Sequence, residues 1–159
     1  VTRVLVAGVG NVLFGDDGFG CEVARVCQRD APAHVDAIDF GVRGYDLAYA
    51  LTSGLDAAIL VDAMPRGGPP GTIYVVDPAQ ATTPTAIDGH AMHAAAVLEI
   101  ARQLGPLPSV RVVGCEPARL LEEDAPVAAL SDAVREAVPR AASLALELAI
   151  ALATGGRDA

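Results

Sequence analysis

The sequence contains no lysine and no tryptophan, a single asparagine (Asn11), and three cysteines among 159 residues. Without lysine there is no Schiff base, no catalytic amine and no phosphate-loop lysine. Cys21, Cys27 and Cys115 form neither a Cys-x-x-Cys pair nor an even framework, so reduced thiols in a cytoplasmic protein are expected. Bases are scarce as well: 11 Arg face 20 acids, giving a formal charge of -9 and a pI near 4.6. Such a surface repels phosphate backbones and argues against nucleic acid as a partner. Apolar stretches are broken by charge, Gly or Pro before reaching the ~20 residues of a membrane helix, so no membrane partner is expected. The first residues run straight into a strand-like segment, with no signal-peptide layout. No Gly-x-Ser-x-Gly and no Ser/His/Asp order supports a serine hydrolase. What is present is 52% apolar and 19% charged residues with a mean hydropathy of +0.40, the composition of one globular domain.

The pattern alternates between strand and helix periods. Residues 3–7 are a β-rich apolar run ending in Gly8 and Gly10, and residues 18–29 place Phe19, Val23, Val26 and Cys27 on one helical side. A second strand is expected over 35–40, then a helical stretch through Leu47, Ala50 and Leu51 after Gly41 and Gly44. Residues 55–61 are the most apolar strand and end at Asp62; residues 65–71 (PRGGPPG) exclude helix. That connection is too short for a helical crossover, so the strand over 72–76 should run antiparallel to the third. A Thr/Pro-rich loop over 78–89, an amphipathic helix over 91–104, a strand over 110–114 and a long helix over 131–154, capped by Ser131, complete the order. These elements predict an α/β protein: a three-layer α/β/α sandwich on a mostly parallel sheet.

Ligands of such sheets sit beyond the carboxyl ends of the parallel strands. Asn11, Asp16 and Asp17 follow the first strand, Asp39 ends the second, Asp62 the third, and the fifth delivers Cys115 and Glu116. The helix from about 91 must start at that same rim, so the loop over 78–89 carries His90 towards Asp17 and Asp62. Two carboxylates and an imidazole suit a divalent metal of intermediate softness, nickel or zinc. Each residue also has a plainer reading. One of Asp16 and Asp17 serves as a helix cap, with Asp17 favoured as the functional one. Asp62 alone resembles an Asx turn, and Cys115 a small buried apolar residue. His90 and His93 share HxxH spacing, and the residues alone leave the choice between them even. The loop Gly8–Val9–Gly10–Asn11–Val12–Leu13 lacks the third glycine of a dinucleotide fingerprint. It also sets two acids where a pyrophosphate would lie, so a nucleotide domain is rejected. A cysteine hydrolase using Cys115 and a histidine ranks below the metal reading.

Together the segments VLVAGVGNVLFGDDGFG (4–20), IDFGVRGYDLAYAL (38–51), ILVDAMPRGGPPGTIYVV (59–76), GHAMHAAAVLEIARQLG (89–105), VVGCEPARL (112–120) and LSDAVREAV (130–138) make the sequence resemble the hydrogenase maturation peptidases. These endopeptidases trim the C-terminal tail of the large-subunit precursor of nickel–iron hydrogenases. The resemblance spans nearly the full length and implies one peptidase domain over 1–159 with a mixed five-stranded sheet, its fourth strand antiparallel. It implies a catalytic and metal-meeting trio of Asp17, Asp62 and His90, register through Val97–Leu98 favouring His90 over His93. Asp39, Gly41 and Gly44 fall where the tail peptide is held. Val42 stands where many members carry Thr, and His93 where Gly or Asp is more usual. The implied metal is nickel carried by the precursor, which is the expected partner of a cytoplasmic, monomeric hydrolase. A nickel-binding, assembly-checking module without catalysis is the alternative.

Overall fold

The computed structural model describes residues 2–81, 93–118 and 127–155. The chain runs through β1 (Val4–Val9), a 3-10 turn (Asp16–Gly18), α1 (Phe19–Asp30), β2 (Val35–Gly41), α2 (Gly44–Leu51) and β3 (Ala57–Ala63). It continues through β4 (Ile73–Val76), a second 3-10 turn (Pro78–Gln80), α3 (Ala94–Leu104), β5 (Ser109–Cys115) and α4 (Asp132–Gly155).

The five strands form one sheet in the order β2-β1-β3-β5-β4. β1 pairs in parallel with β2 and β3, and β3 with β5, while β4 runs antiparallel to β5. The short Pro/Gly connection does reverse the chain, as its length demands, but it places β4 outside β5 rather than beside β3. β3 is the central strand and is buried throughout, which is why its sequence is continuously apolar up to Asp62. Alternate residues of β3 supply the two cores. Ala57, Ile59 and Val61 pack with α1 and α4, whereas Ala58 and Leu60 pack with α2 and α3.

Helix α4 corrects one expectation. Its 24 residues are long and apolar enough to cross a membrane by length and composition, because Ala, Leu and Ile outnumber its few charges. Val134, Ala137, Ala141, Ala145 and Ala149 nevertheless face the core beside Phe19 and Val23 of α1. At its start, the Arg135 N–H donates to the Ser131 carbonyl, placing Ser131 at the cap position expected of it. α1 lies unusually close to the sheet: a Cβ on Gly20 would meet the Val61 carbonyl oxygen at 2.2 Å. That approach sets the Asp16–Gly18 turn directly above the carboxyl ends of β1 and β3.

Candidate functional site

Asp17, Asp62 and His93 meet above the ends of β1 and β3, with one ligand atom from each lying within 4.8 Å of the others. Asp17 arrives on the loop after β1. The Asn11 N–H donates to its Oδ2 at 2.9 Å, and the Asn11 side chain turns back to accept the Leu13 N–H at 3.0 Å. Gly10 makes this seating possible. Its φ is +138°, and a Cβ there would lie 1.9 Å from the Asp17 carbonyl oxygen.

Asp62 is the penultimate residue of β3, which continues to Ala63 instead of stopping at Val61. Its Oδ2 accepts the Ala94 N–H at 2.9 Å, one of the bare donors at the start of α3. The same contact delivers His93, whose Nδ1 lies 3.6 Å from Asp62 Oδ2. His93 precedes the helix in an extended conformation (φ -114°, ψ 157°), so shared helical-face spacing with His90 plays no part in placing it. Among the described residues the imidazole that meets the carboxylates is that of His93; His90 lies outside the described residues.

The electrostatics of this cluster are those of crowded, buried carboxylates. Asp17 is 5% exposed and Asp62 3%, and an Oδ1 of each is buried with no hydrogen-bond partner. Burial, then the Asp62 charge, pushes the Asp17 carboxyl up to about 6, against the opposing pull of the Asn11 N–H and His93. Burial likewise raises Asp62, opposed by His93 and the Ala94 N–H. His93 is raised by its contact with Asp62, against the effect of its own burial. All three groups thus hold protons more tightly than usual, the response of a carboxylate pair short of positive charge. Two carboxylates and an imidazole are a donor set that nickel or zinc accepts.

The neighbouring residues divide differently from the sequence expectation. Asp16, adjacent to Asp17, is 2% exposed and turns away from the cluster to accept N–H groups from Ala118 and Ser131. It is not the cap of α1: the residue before that helix is Gly18, and no side chain caps it. Asp39 lies beside the Gly41 turn (φ +56°), with its Oδ1 buried and unpartnered and its Oδ2 3.5 Å from Arg25. Gly41 accepts the Gly10 N–H at 3.1 Å, so this turn is joined to the Asp17 loop; Gly44 opens α2 just beyond.

Glu116 has a role that no local sequence signal announces. Its carboxylate accepts the Arg66 N–H at 2.6 Å, the Gly67 N–H at 2.9 Å and the Tyr74 hydroxyl at 3.1 Å, pinning the Pro/Gly loop after β3. The three thiols are free, buried and protonated. Burial lifts Cys27 and Cys115 to about 11 and Cys21 higher still, which removes the basis for a thiolate nucleophile.

Comparison with known proteins agrees with this fold. The family model described as hydrogenase maturation protease matches residues 21–148. A putative hydrogenase maturation protease of Methanocaldococcus jannaschii is 42% identical over 76 residues, which is 46% of this chain and about half (49%) of that relative. A protein of Methanothermobacter thermautotrophicus named coenzyme F420 hydrogenase subunit delta is 30% identical over 91% of this chain and 93% of its own. Among solved structures, the hydrogenase-maturating endopeptidase HybD of E. coli superposes with a TM-score of 0.75 at 27% identity, covering 98% of this chain and 94% of that one. The mixed sheet and the family match over most of the length lead to one conclusion: this chain belongs to the hydrogenase maturation proteases, a family of peptide-bond hydrolases.

Proposed function

We propose that this protein is the endopeptidase that removes the C-terminal extension of a nickel–iron hydrogenase large-subunit precursor after nickel insertion. In this reading Asp17, Asp62 and His93 meet the nickel that the precursor carries. The observation that carries it is the pair of buried, unpartnered Oδ1 atoms of Asp17 and Asp62 beside the His93 imidazole. A buried polar atom without a partner costs ~1–3 kcal/mol or more, and a divalent cation is the partner that removes this cost for both carboxylates together.

Three protein ligands leave positions open for the precursor's own groups. Nickel bound there supplies Lewis acidity, polarising a carbonyl or activating a water, an effect worth several kcal/mol. The chain's own residues orient and handle protons. Asp62 holds the first N–H of α3 and so fixes where His93 stands. A carboxylate of the pair serves as general base towards the attacking water. The partly exposed Asp39 carboxylate beside the Gly41 turn offers an acceptor for an N–H of the tail peptide, with Gly41 and Gly44 adjoining it. The reaction is carried by one domain over 1–159, monomeric and cytoplasmic.

Incubation of the purified protein with nickel-loaded and nickel-free precursor, followed by mass spectrometry, tests this reading. The expected result is a tail-sized mass loss with the loaded precursor alone. Stable binding of loaded precursor without any mass loss would instead favour an assembly-checking module.

A further inference from the structure

Asp16 and Asp17 are neighbours in one 3-10 turn, where successive side chains point about 120° apart. Asp17 faces Asp62 and His93, while Asp16 faces the segment after β5 and the start of α4. The Asp16 carboxylate accepts the Ala118 N–H at 2.8 Å, the Ser131 N–H at 2.7 Å and the Ser131 hydroxyl at 2.9 Å. The same loop is bonded to that segment again at Val127. Val127 donates its N–H to the Leu13 carbonyl and accepts the Gly15 N–H, both at 2.8 Å. The loop carrying Asp17 is therefore tied to both ends of the connection between β5 and α4.

We propose that Asp16 is a positioning residue, whose carboxylate holds the 11–17 loop so that Asp17 stays seated against Asp62. This rests on reading Asp17, Asp62 and His93 as the nickel-meeting site. Something must supply such a hold. Two carboxylates brought this close repel, and Asp17 retains an unpartnered Oδ1 inside the cluster. The backbone around them is a poor brace, because Gly15 (φ +57°) and Gly18 flank the acid pair. A carboxylate suits the task because both oxygens accept from charge-seeking donors, and two backbone N–H groups and a hydroxyl converge on it. An amide at position 16 would turn its own NH2 towards at least one of these donors.

The test uses the full chain with Asp16→Asn and Ser131→Ala. Two quantities are read: NMR hydrogen exchange at the Asn11 amide, and affinity for Ni2+ alone by calorimetry. The Asn11 N–H is bonded to the Asp17 carboxylate, so it reports the seating of Asp17 without any metal. In Asp16→Asn the Asn11 amide should exchange about tenfold faster or more while the β1 and β3 amides keep wild-type rates. Ni2+ affinity should fall about tenfold or more. Ser131→Ala should shift both readouts in the same direction by less. Unchanged Asn11 exchange, or acceleration of Asn11 and the strand amides together, would overturn the proposal in favour of a merely structural role. If Asp16→Asn does not fold, Ser131→Ala, which removes one hydroxyl, decides by the same criterion. A wild-type protein that binds no Ni2+ would count against the nickel-meeting reading, and Asn11 exchange would still decide the role of Asp16.

Discussion

Replacing Asp17 with asparagine should make the ion-free protein more stable at neutral pH while removing a carboxylate the reaction needs. Burial and the Asp62 charge raise the Asp17 carboxyl from an ordinary 3.8 to about 6. Below pH 3.8 the group is protonated in folded and unfolded chains alike, and the fold carries no penalty. As pH rises through the interval to about 6, the unfolded chain ionises first, so stability is lost; above it the whole penalty is present. At about 1.4 kcal/mol per pKa unit this amounts to about 3 kcal/mol at pH 7.5, and about half of that at pH 5. Asparagine stays neutral, and its carbonyl oxygen still accepts the Asn11 N–H. The Asn11 bond's preference for the charged form is already contained in the value of about 6. The gain is then about 3 kcal/mol at pH 7.5, about 6–12 °C in Tm for a chain of this size, and about 1.5 kcal/mol at pH 5. Thermal unfolding of chelator-treated wild type and D17N, followed by circular dichroism at both pH values, measures it. A variant less stable than wild type at pH 7.5, or equally stabilised at both pH values, would refute the claim that Asp17 is a strained, cation-seeking carboxylate.

Other consequences are equally open to measurement. Ni2+ or Zn2+ at a hundred times its dissociation constant should stabilise the protein by about 2.7 kcal/mol, and D62N should abolish that gain in a calorimetric scan. Gly10→Ala should cost about 2 kcal/mol or more and weaken ion binding with it, since its Cβ collides with the Asp17 carbonyl at a φ that disfavours side chains. Glu116→Ala should cost about 2–4 kcal/mol in urea unfolding, because it strips the acceptor from the Arg66 and Gly67 amides. Thiol alkylators should leave activity intact in the folded protein, since all three cysteines are buried and protonated.

Much of this architecture is written in local patterns. The continuously apolar 57–61 run has to be central, and the Pro/Gly connection after it has to reverse the chain; the sheet shows both. Asp62 is legible because it interrupts that run at the ligand rim. Asp17 is legible as the functional acid of its pair, but the partners of Asp16 are not, because they lie more than a hundred residues away at Ala118 and Ser131. Glu116 is hidden for the same reason, reaching back fifty residues to Arg66. The histidine is the hardest case. The Thr/Pro-rich stretch before α3 has no periodicity to fix its register or the first residue of the helix. Residues 91–104 suggest it opens at Ala91, whereas it opens at Ala94 on the Asp62 carboxylate, with His93 immediately before it. Helix α4 misleads in composition: scattered charges make 132–155 read as interrupted, although the helix as a whole is apolar.

The central claim is that the Asp17–Asp62–His93 cluster performs tail removal, and processing of nickel-loaded precursor by wild type, D62A, D62N, H93A and H90A tests it most directly. D62N keeps an acceptor for the Ala94 N–H, so its fold should survive where that of D62A is in question. Mass spectrometry should show the tail-sized loss with wild type and H90A, and intact precursor with D62A, D62N and H93A while circular dichroism reports folded D62N and H93A. Complete processing by D62N or H93A would contradict the account.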